Sequence, residues 1–99
     1  MIIKTYNGRT FEIQFQHNNV TNERPSTLVK LFEYENSKKV FVDFAIAYCN
    51  KSDKFSKSFG RRTAMKKLFK KVDLNKETRI DIWDEYFSEH NDFYGWQNK

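Results

Sequence analysis

Between Cys49 and Lys54 the apolar residues change their spacing, from every second position to helical recurrence, and no other property of the chain constrains the fold as much. Alternation buries one face of a strand, whereas recurrence at three and four positions buries one stripe of a helix. Phe11, Ile13 and Phe15 alternate with Thr10, Glu12, Gln14 and Gln16. With Ile2 to Tyr6 ahead and Asn7-Gly8 between, this predicts a hairpin closed by a type I′ turn, because Asn-Gly adopts the positive φ angles that turn requires. His17 to Ser26 is polar and holds the only proline, which predicts a loop.

Leu28 to Glu35 and Val40 to Cys49 are two further predicted strands, joined by the four residues Asn36-Ser37-Lys38-Lys39. In the last strand Val40, Val42, Phe44, Ile46 and Tyr48 fall on one side, and Phe41, Asp43, Ala45, Ala47 and Cys49 on the other. Both sides are largely apolar, and the small residues of the second predict a helix packed close against it, so this strand is expected at the centre of the sheet. From Lys54 onward Phe55, Phe59, Met65, Leu68, Phe69 and Val72 fit one helical stripe, with Asp53 or Ser56 as the cap. Gly60 inside that helix weakens it by about 1 kcal/mol relative to Ala, which is sensible where the backbone must approach the sheet. Asn75 then caps a second helix through His90, with Ile80, Trp83 and Phe87 as its main apolar stripe and Ile82 and Tyr86 widening it. The expected fold is α+β: a four-stranded antiparallel sheet, a meander, followed by two helices packed on one face. One domain is expected over residues 1–99, with the sheet in 1–49, a basic then an acidic helix in 50–90, and an aromatic tail in 91–99.

Seventeen aromatic residues are a heavy load for 99 positions and supply most of the core. Three Gly and one Pro argue against a low-complexity chain. A single cysteine, Cys49, excludes an intrachain disulfide, and the start Met-Ile-Ile-Lys-Thr does not resemble a secretion signal. No apolar run approaches the roughly 20 residues needed to cross a bilayer. A cytoplasmic setting, in a bacterial host, and a monomer or small homo-oligomer are expected, with no membrane partner.

Charge is unevenly placed. Met1 to Cys49 carries six basic and five acidic residues, Asn50 to Val72 nine against one, and Asp73 to Lys99 three against seven. Half of the positive charge therefore lies in Asn50 to Val72, less than a quarter of the length. Lys57, Arg61, Arg62, Lys66, Lys67, Lys70 and Lys71 are the candidate contacts to nucleic-acid phosphates, where cations release condensed counterions and give affinity without reading sequence. The bland alternative is a solvated face, or neutralisation of Arg61, Arg62 and Lys66 by Asp81, Asp84 and Glu85 of the following helix. Asp84 and Glu85, together with Tyr94 and Trp96 of the tail, are candidate contacts to a protein partner. Tyr6, Phe32, Tyr34, Phe41 and Tyr48 form a possible stacking platform for single strands, although core packing is the expected use of those rings.

Catalysis is not expected. Cys49 with His17 or His90 is the one thiol and imidazole pairing available, and no local signature surrounds it. There is no Cys-x-x-Cys or His-x-x-x-His spacing for a metal and no glycine-rich phosphate loop, so neither cofactor nor small-molecule substrate is expected.

Cys49, Asp53, Phe55, Gly60, Arg61 and Ala64 spell C-x-x-x-D-x-F-x-x-x-x-G-R-x-x-A. The run resembles a signature of small proteins from tailed-phage and mobile-element genomes, and a looser likeness extends through Arg79, Ile82-Trp83 and Tyr86-Phe87. The resemblance implies strands followed by helices and a phage accessory protein, without transferring a catalytic role. It also implies a partner among host complexes that handle nucleic acid, including transcription, nuclease and immunity machinery, and hence an inhibitor of host defence or transcription.

Overall fold

The structure, a computed structural model, describes residues 1–5, 7–18, 24–49 and 56–90. Strands β1 (Ile2–Lys4), β2 (Thr10–Asn18), β3 (Ser26–Glu35) and β4 (Lys38–Tyr48) pair antiparallel in chain order, and helices α1 (Lys57–Lys71) and α2 (Lys76–His90) follow. The chain is an α+β meander, as the period change predicts. His17, Asn18 and Ser26, expected in a loop, extend β2 and β3 and face each other's strand across the ladder.

Neither hairpin has its expected turn. Lys4 faces Thr10, Thr5 N–H donates to the Arg9 carbonyl (2.9 Å), and Gly8 N–H donates to the Thr5 carbonyl (3.0 Å). Three residues, 6–8, therefore link Thr5 to Arg9, with Gly8 supplying the left-handed φ of 85° that closes such a loop. The two-residue type I′ turn lies instead at Asn36-Ser37, where φ is 52° and 68° and Glu35 pairs directly with Lys38. The strands thus continue into Lys38 and Lys39, which sequence reading assigned to the connection.

One sheet face is buried. Ile3, Phe11, Ile13, Val29, Leu31, Ala45 and Ala47 pack against Ala64, Met65 and Leu68 of α1, and against Leu74, Ile82 and Tyr86. Each large apolar side chain hidden there stabilises the fold by about 1.5–3 kcal/mol. Phe15, Phe69, Val72, Trp83 and Phe87 close the margins of this core. Ser56 caps α1 by accepting from Phe59 N–H (3.3 Å), and Asn75 caps α2 by accepting from Thr78 N–H (2.8 Å). Such a cap contributes about 1 kcal/mol.

In α1 the expected stripe holds at Met65 and Leu68, which are buried, and at Phe69 and Val72, which pack on the core, but not at Phe59; α2 is rotated from its expected phase. Gly60, Ala64 and Leu68 descend at four-residue steps onto the sheet, which turns Phe59 outward to 64 % exposure. In α2 the buried line is Thr78, Ile82 and Tyr86, so Ile80 faces out, while Trp83 and Phe87 are half-buried. Phe55 and Asp53 lie outside the described residues.

β4 is an edge strand, not a central one. Its two apolar sides have another origin. Phe41 pairs with Phe32 and Asp43 with Leu31, so Val42 is an inserted residue, a bulge that shifts the alternation by one position. Phe41 therefore shares the outer face with Phe44, Ile46 and Tyr48, while Asp43, Ala45 and Ala47 turn toward the helices.

Candidate functional site

Sheet packing divides the cations of α1 into three groups. The buried line through Gly60, Ala64 and Leu68 leaves Arg62, Lys66 and Lys70 on the opposite, outward side at i, i+4 and i+8. Among the described residues none of these three forms an ion pair. Arg61 turns inward, its Nε donating to the Tyr86 hydroxyl at 3.2 Å. Lys67 and Lys71 reach sideways over the free edge of β4: Lys67 Nζ donates to the Ile46 carbonyl (3.3 Å) and Lys71 Nζ to the Phe44 carbonyl (2.5 Å). Lys71 also pairs with Asp43 at 3.3 Å and sits over the Phe44 ring at 4.5 Å. Lys57 begins the helix and is exposed.

The acidic helix leaves this outward group unneutralised. Lys76, Arg79, Ile80 and Trp83 lie on the side of α2 that meets α1, while Glu77 and Asp84, next to Ile80 at helical spacing, are exposed outside the groove lining and form no ion pair among the described residues. Glu85 is half-buried. Between the helices runs an open groove of about 410 Å³ lined by Lys66, Phe69, Lys70, Lys76, Arg79, Ile80 and Trp83. Four cations and three apolar side chains, with no carboxylate, form its lining. Trp83 is held in place by Phe69 edge-on (5.8 Å between centroids) and by Phe87 stacked on it (5.5 Å, 20°). Arg79 Nε is buried there and makes no hydrogen bond among the described residues. Sequence reading missed Lys76 and Arg79 because they belong to a segment whose net charge is negative. Their spacing from Trp83, seven and four positions, was the available signal that they share its side.

A second exposed surface is the outer sheet face. Leu28, Phe32, Tyr34, Phe41, Phe44, Ile46 and Tyr48 lie on it by register, opposite the helices. Phe41 and Tyr48 are more than half exposed, at 52 % and 56 %, so core packing is not their use. Phe32 meets Phe41 edge-on at 5.7 Å. Lys39 lies over Phe32 (4.9 Å) and Arg24 over Tyr48 (5.5 Å), contacts that place a cation beside each ring. Beside Phe32 on this face Glu12 accepts from Gln14 Nε2 (2.5 Å) and the Tyr34 hydroxyl (2.7 Å), with Lys39 3.5 Å away. These donors, Gln14 first and Tyr34 next, hold its pKa down at about 2. Tyr6 lies outside the described residues, as do Tyr94 and Trp96.

His17 Nδ1 lies 2.8 Å from the Thr27 hydroxyl, and burial, followed by repulsion from Arg61, Lys57 and His90, pushes its pKa below the usual imidazole range. His90 lies against Tyr86 and Phe15. Cys49 follows β4, its N–H donating to the Pro25 carbonyl at 2.7 Å. Among the described residues no three His, Cys, Asp or Glu side chains cluster as a metal site, and no helix is long and apolar enough to cross a membrane.

Compared with known proteins, the chain matches no family model, no curated protein and no solved structure.

Proposed function

We propose that this chain is a non-enzymatic binding protein of the phage accessory type that engages nucleic acid through α1. The observation that carries the reading is the cationic surface formed by Arg62, Lys66 and Lys70 of α1 with Lys76 and Arg79 of α2, none of them in an ion pair among the described residues. Unpaired cations at helical spacing are what a phosphate backbone recruits, because each contact releases a condensed counterion. Lys67 and Lys71 support the surface from its flank and Lys57 extends it toward the start of the helix, whereas Arg61 turns inward to Tyr86 and is set apart from it. Lys67 and Lys71 are partly engaged by β4 carbonyls, so their share of the affinity is the smaller one. Reversing Arg62, Lys66 and Lys70 together to Glu abolishes binding to a labelled oligonucleotide, and log affinity of the parent protein falls with log salt by about 0.9 for each duplex phosphate contacted. Retained binding in the triple variant, or a flat salt dependence, refutes the reading.

The outer sheet face favours a second reading, an inhibitor directed at a host protein of defence or transcription. There Phe41, Phe44 and Tyr48 act as the aromatic anchors and charge only steers the encounter. Capture of such a partner that survives nuclease treatment and is lost in Phe41→Ser with Phe44→Ser supports it; capture lost on nuclease treatment returns the decision to nucleic acid.

A further inference from the structure

We propose that the groove between α1 and α2 seats one unpaired base of a single-stranded nucleic acid, its ring against Trp83 and its flanking phosphates on Lys66 and Lys70 on one side and Lys76 and Arg79 on the other. The inference rests on the nucleic-acid reading above and narrows it from a polyanion to a single strand.

Three properties of the groove select this occupant. First, its lining is cationic from both helices: Lys66 and Lys70 come from α1, Lys76 and Arg79 from α2, and no carboxylate lies among them. A nucleotide unit presents a phosphate before and after its base, so a groove with a cationic pair on each wall matches the repeat of the strand. Second, the floor is aromatic. Trp83 lines the groove with its orientation set by Phe69 and Phe87, and a fixed indole is a general platform for base stacking because every base has a π face. Third, the buried Arg79 Nε has no hydrogen-bond acceptor among the described residues. A buried donor without a partner destabilises the free protein, and a phosphate that draws the Arg79 guanidinium out into the groove supplies the missing acceptor.

The volume, about 410 Å³, lies toward the small end of the ~300–1,000 Å³ range of ligand sites, suited to one nucleotide and not to a long ligand. A duplex cannot offer this contact, since its bases are stacked on one another inside the cylinder. It reaches only the outer rim, at half-buried Arg62 and at exposed Lys66 and Lys70. The inference therefore separates duplex from single strand by a contact to Trp83.

The experiment uses the full chain carrying Trp96→Phe, which leaves Trp83 as its sole tryptophan. Its emission is followed during titration with a short oligothymidylate, with the matching duplex, with thymidine monophosphate and with polyglutamate. The expected result is quenching by oligothymidylate and an affinity about tenfold or more above that for the duplex, the share that one stacked base supplies. Ile80 is 46 % exposed on the groove lining. Ile80→Glu therefore places a carboxylate where the phosphate would lie, and it is expected to remove both the quenching and the single-strand preference without lowering the thermal midpoint. Arg79→Gln is expected to weaken oligothymidylate more than duplex. Equal quenching by the monophosphate makes this a free-nucleotide site and overturns the inference, and equal competition by polyglutamate reduces it to a general anion surface. Duplex binding with a steep salt slope and no tryptophan response overturns the base site while leaving the phosphate reading intact. Absence of binding to both strand forms overturns the two together.

Discussion

Gly60 of α1 rests on Thr27 of β3 so closely that a Cβ at position 60 would fall far inside contact with Thr27 Oγ1 and 3.1 Å from Thr27 Cβ. Thr27 is fully buried, and its hydroxyl is 2.8 Å from His17 Nδ1 on β2. This single approach sets the distance and the phase of the helix on the sheet. Because Gly60 must face β3, Ala64 and Leu68 follow it inward, and Arg62, Lys66 and Lys70 are turned to solvent on the outward side.

Gly60→Ala brings two effects of opposite sign. Replacing a helical glycine stabilises by about 1 kcal/mol, while a methyl forced into a filled site destabilises by about 1–3 kcal/mol. Thr27 is β-branched and held by His17, so it yields poorly and the clash wins. The expected outcome is a net loss of about 1 kcal/mol in denaturant unfolding, and a smaller loss or a gain when the same change is made in Thr27→Ala. A Gly60→Ala protein more stable than the parent would show that the helix does not approach this closely.

Acid stability has two separate steps with known signs. His17 has a pKa lowered from 6.5 in the folded state, first by burial and then by Arg61, Lys57 and His90. The unfolded chain therefore binds the proton more readily, so this contribution to stability is intact above pH 6.5 and is lost as pH falls through that value toward the folded pKa. Glu12 is lowered from 4.5 to about 2 by Gln14, Tyr34 and Lys39, so its contribution is present above 4.5 and is lost as pH falls toward 2. Unfolding free energies measured across pH are expected to lose the upper step in His17→Gln and to lose part of the lower step in Glu12→Gln. An unchanged upper step in His17→Gln assigns it to another group.

Most of the architecture was legible because each element carries its own period. Phe11, Ile13 and Phe15 identify β2, and the recurrence at Met65, Leu68, Phe69 and Val72 identifies α1. Gly60 in a helical segment was a sound signal of close approach. The parts that were not legible depend on pairing between strands. The bulge at Val42 is a mismatch between β3 and β4 with no signature of its own, and it reverses the side on which Phe41 lies. The Asn36-Ser37 turn gives no glycine to mark it, so Asn7-Gly8 drew the type I′ assignment instead. At the candidate site the outward cations of α1 were legible, but the contribution of Lys76 and Arg79 was masked by the acidic residues around them.

Lys67 and Lys71 protect an edge. Both donate to outward carbonyls of β4, Ile46 and Phe44, on a strand that no other strand covers on that side among the described residues. Exposed edges pair with other chains, and lysines placed on them suppress that pairing. Lys67→Leu with Lys71→Leu is expected to shift the protein toward concentration-dependent association in sedimentation, with little change in helix content. Mass that does not depend on concentration in the double variant would assign these lysines to ligand binding alone.

The clearest test of which sheet face is the core compares rings that sequence reading could not separate. Phe11 has no exposed surface and sits among Ile3, Ile13 and Leu31, whereas Phe41 is 52 % exposed and Phe44 is 42 % exposed. Phe11→Ala removes buried area and leaves a cavity, at about 3–5 kcal/mol. Phe41→Ser sacrifices one edge-on contact with Phe32, and Phe44→Ser one contact with Lys71, each within about 1 kcal/mol. Polar replacement there also removes apolar surface that water already reaches, so solubility is expected to rise while the unfolding midpoint barely moves. Denaturant titrations of the three variants side by side decide the matter. A loss at Phe41 or Phe44 as large as that at Phe11 would mean that the outer face is covered in solution, by another copy of the chain or by residues packed across it.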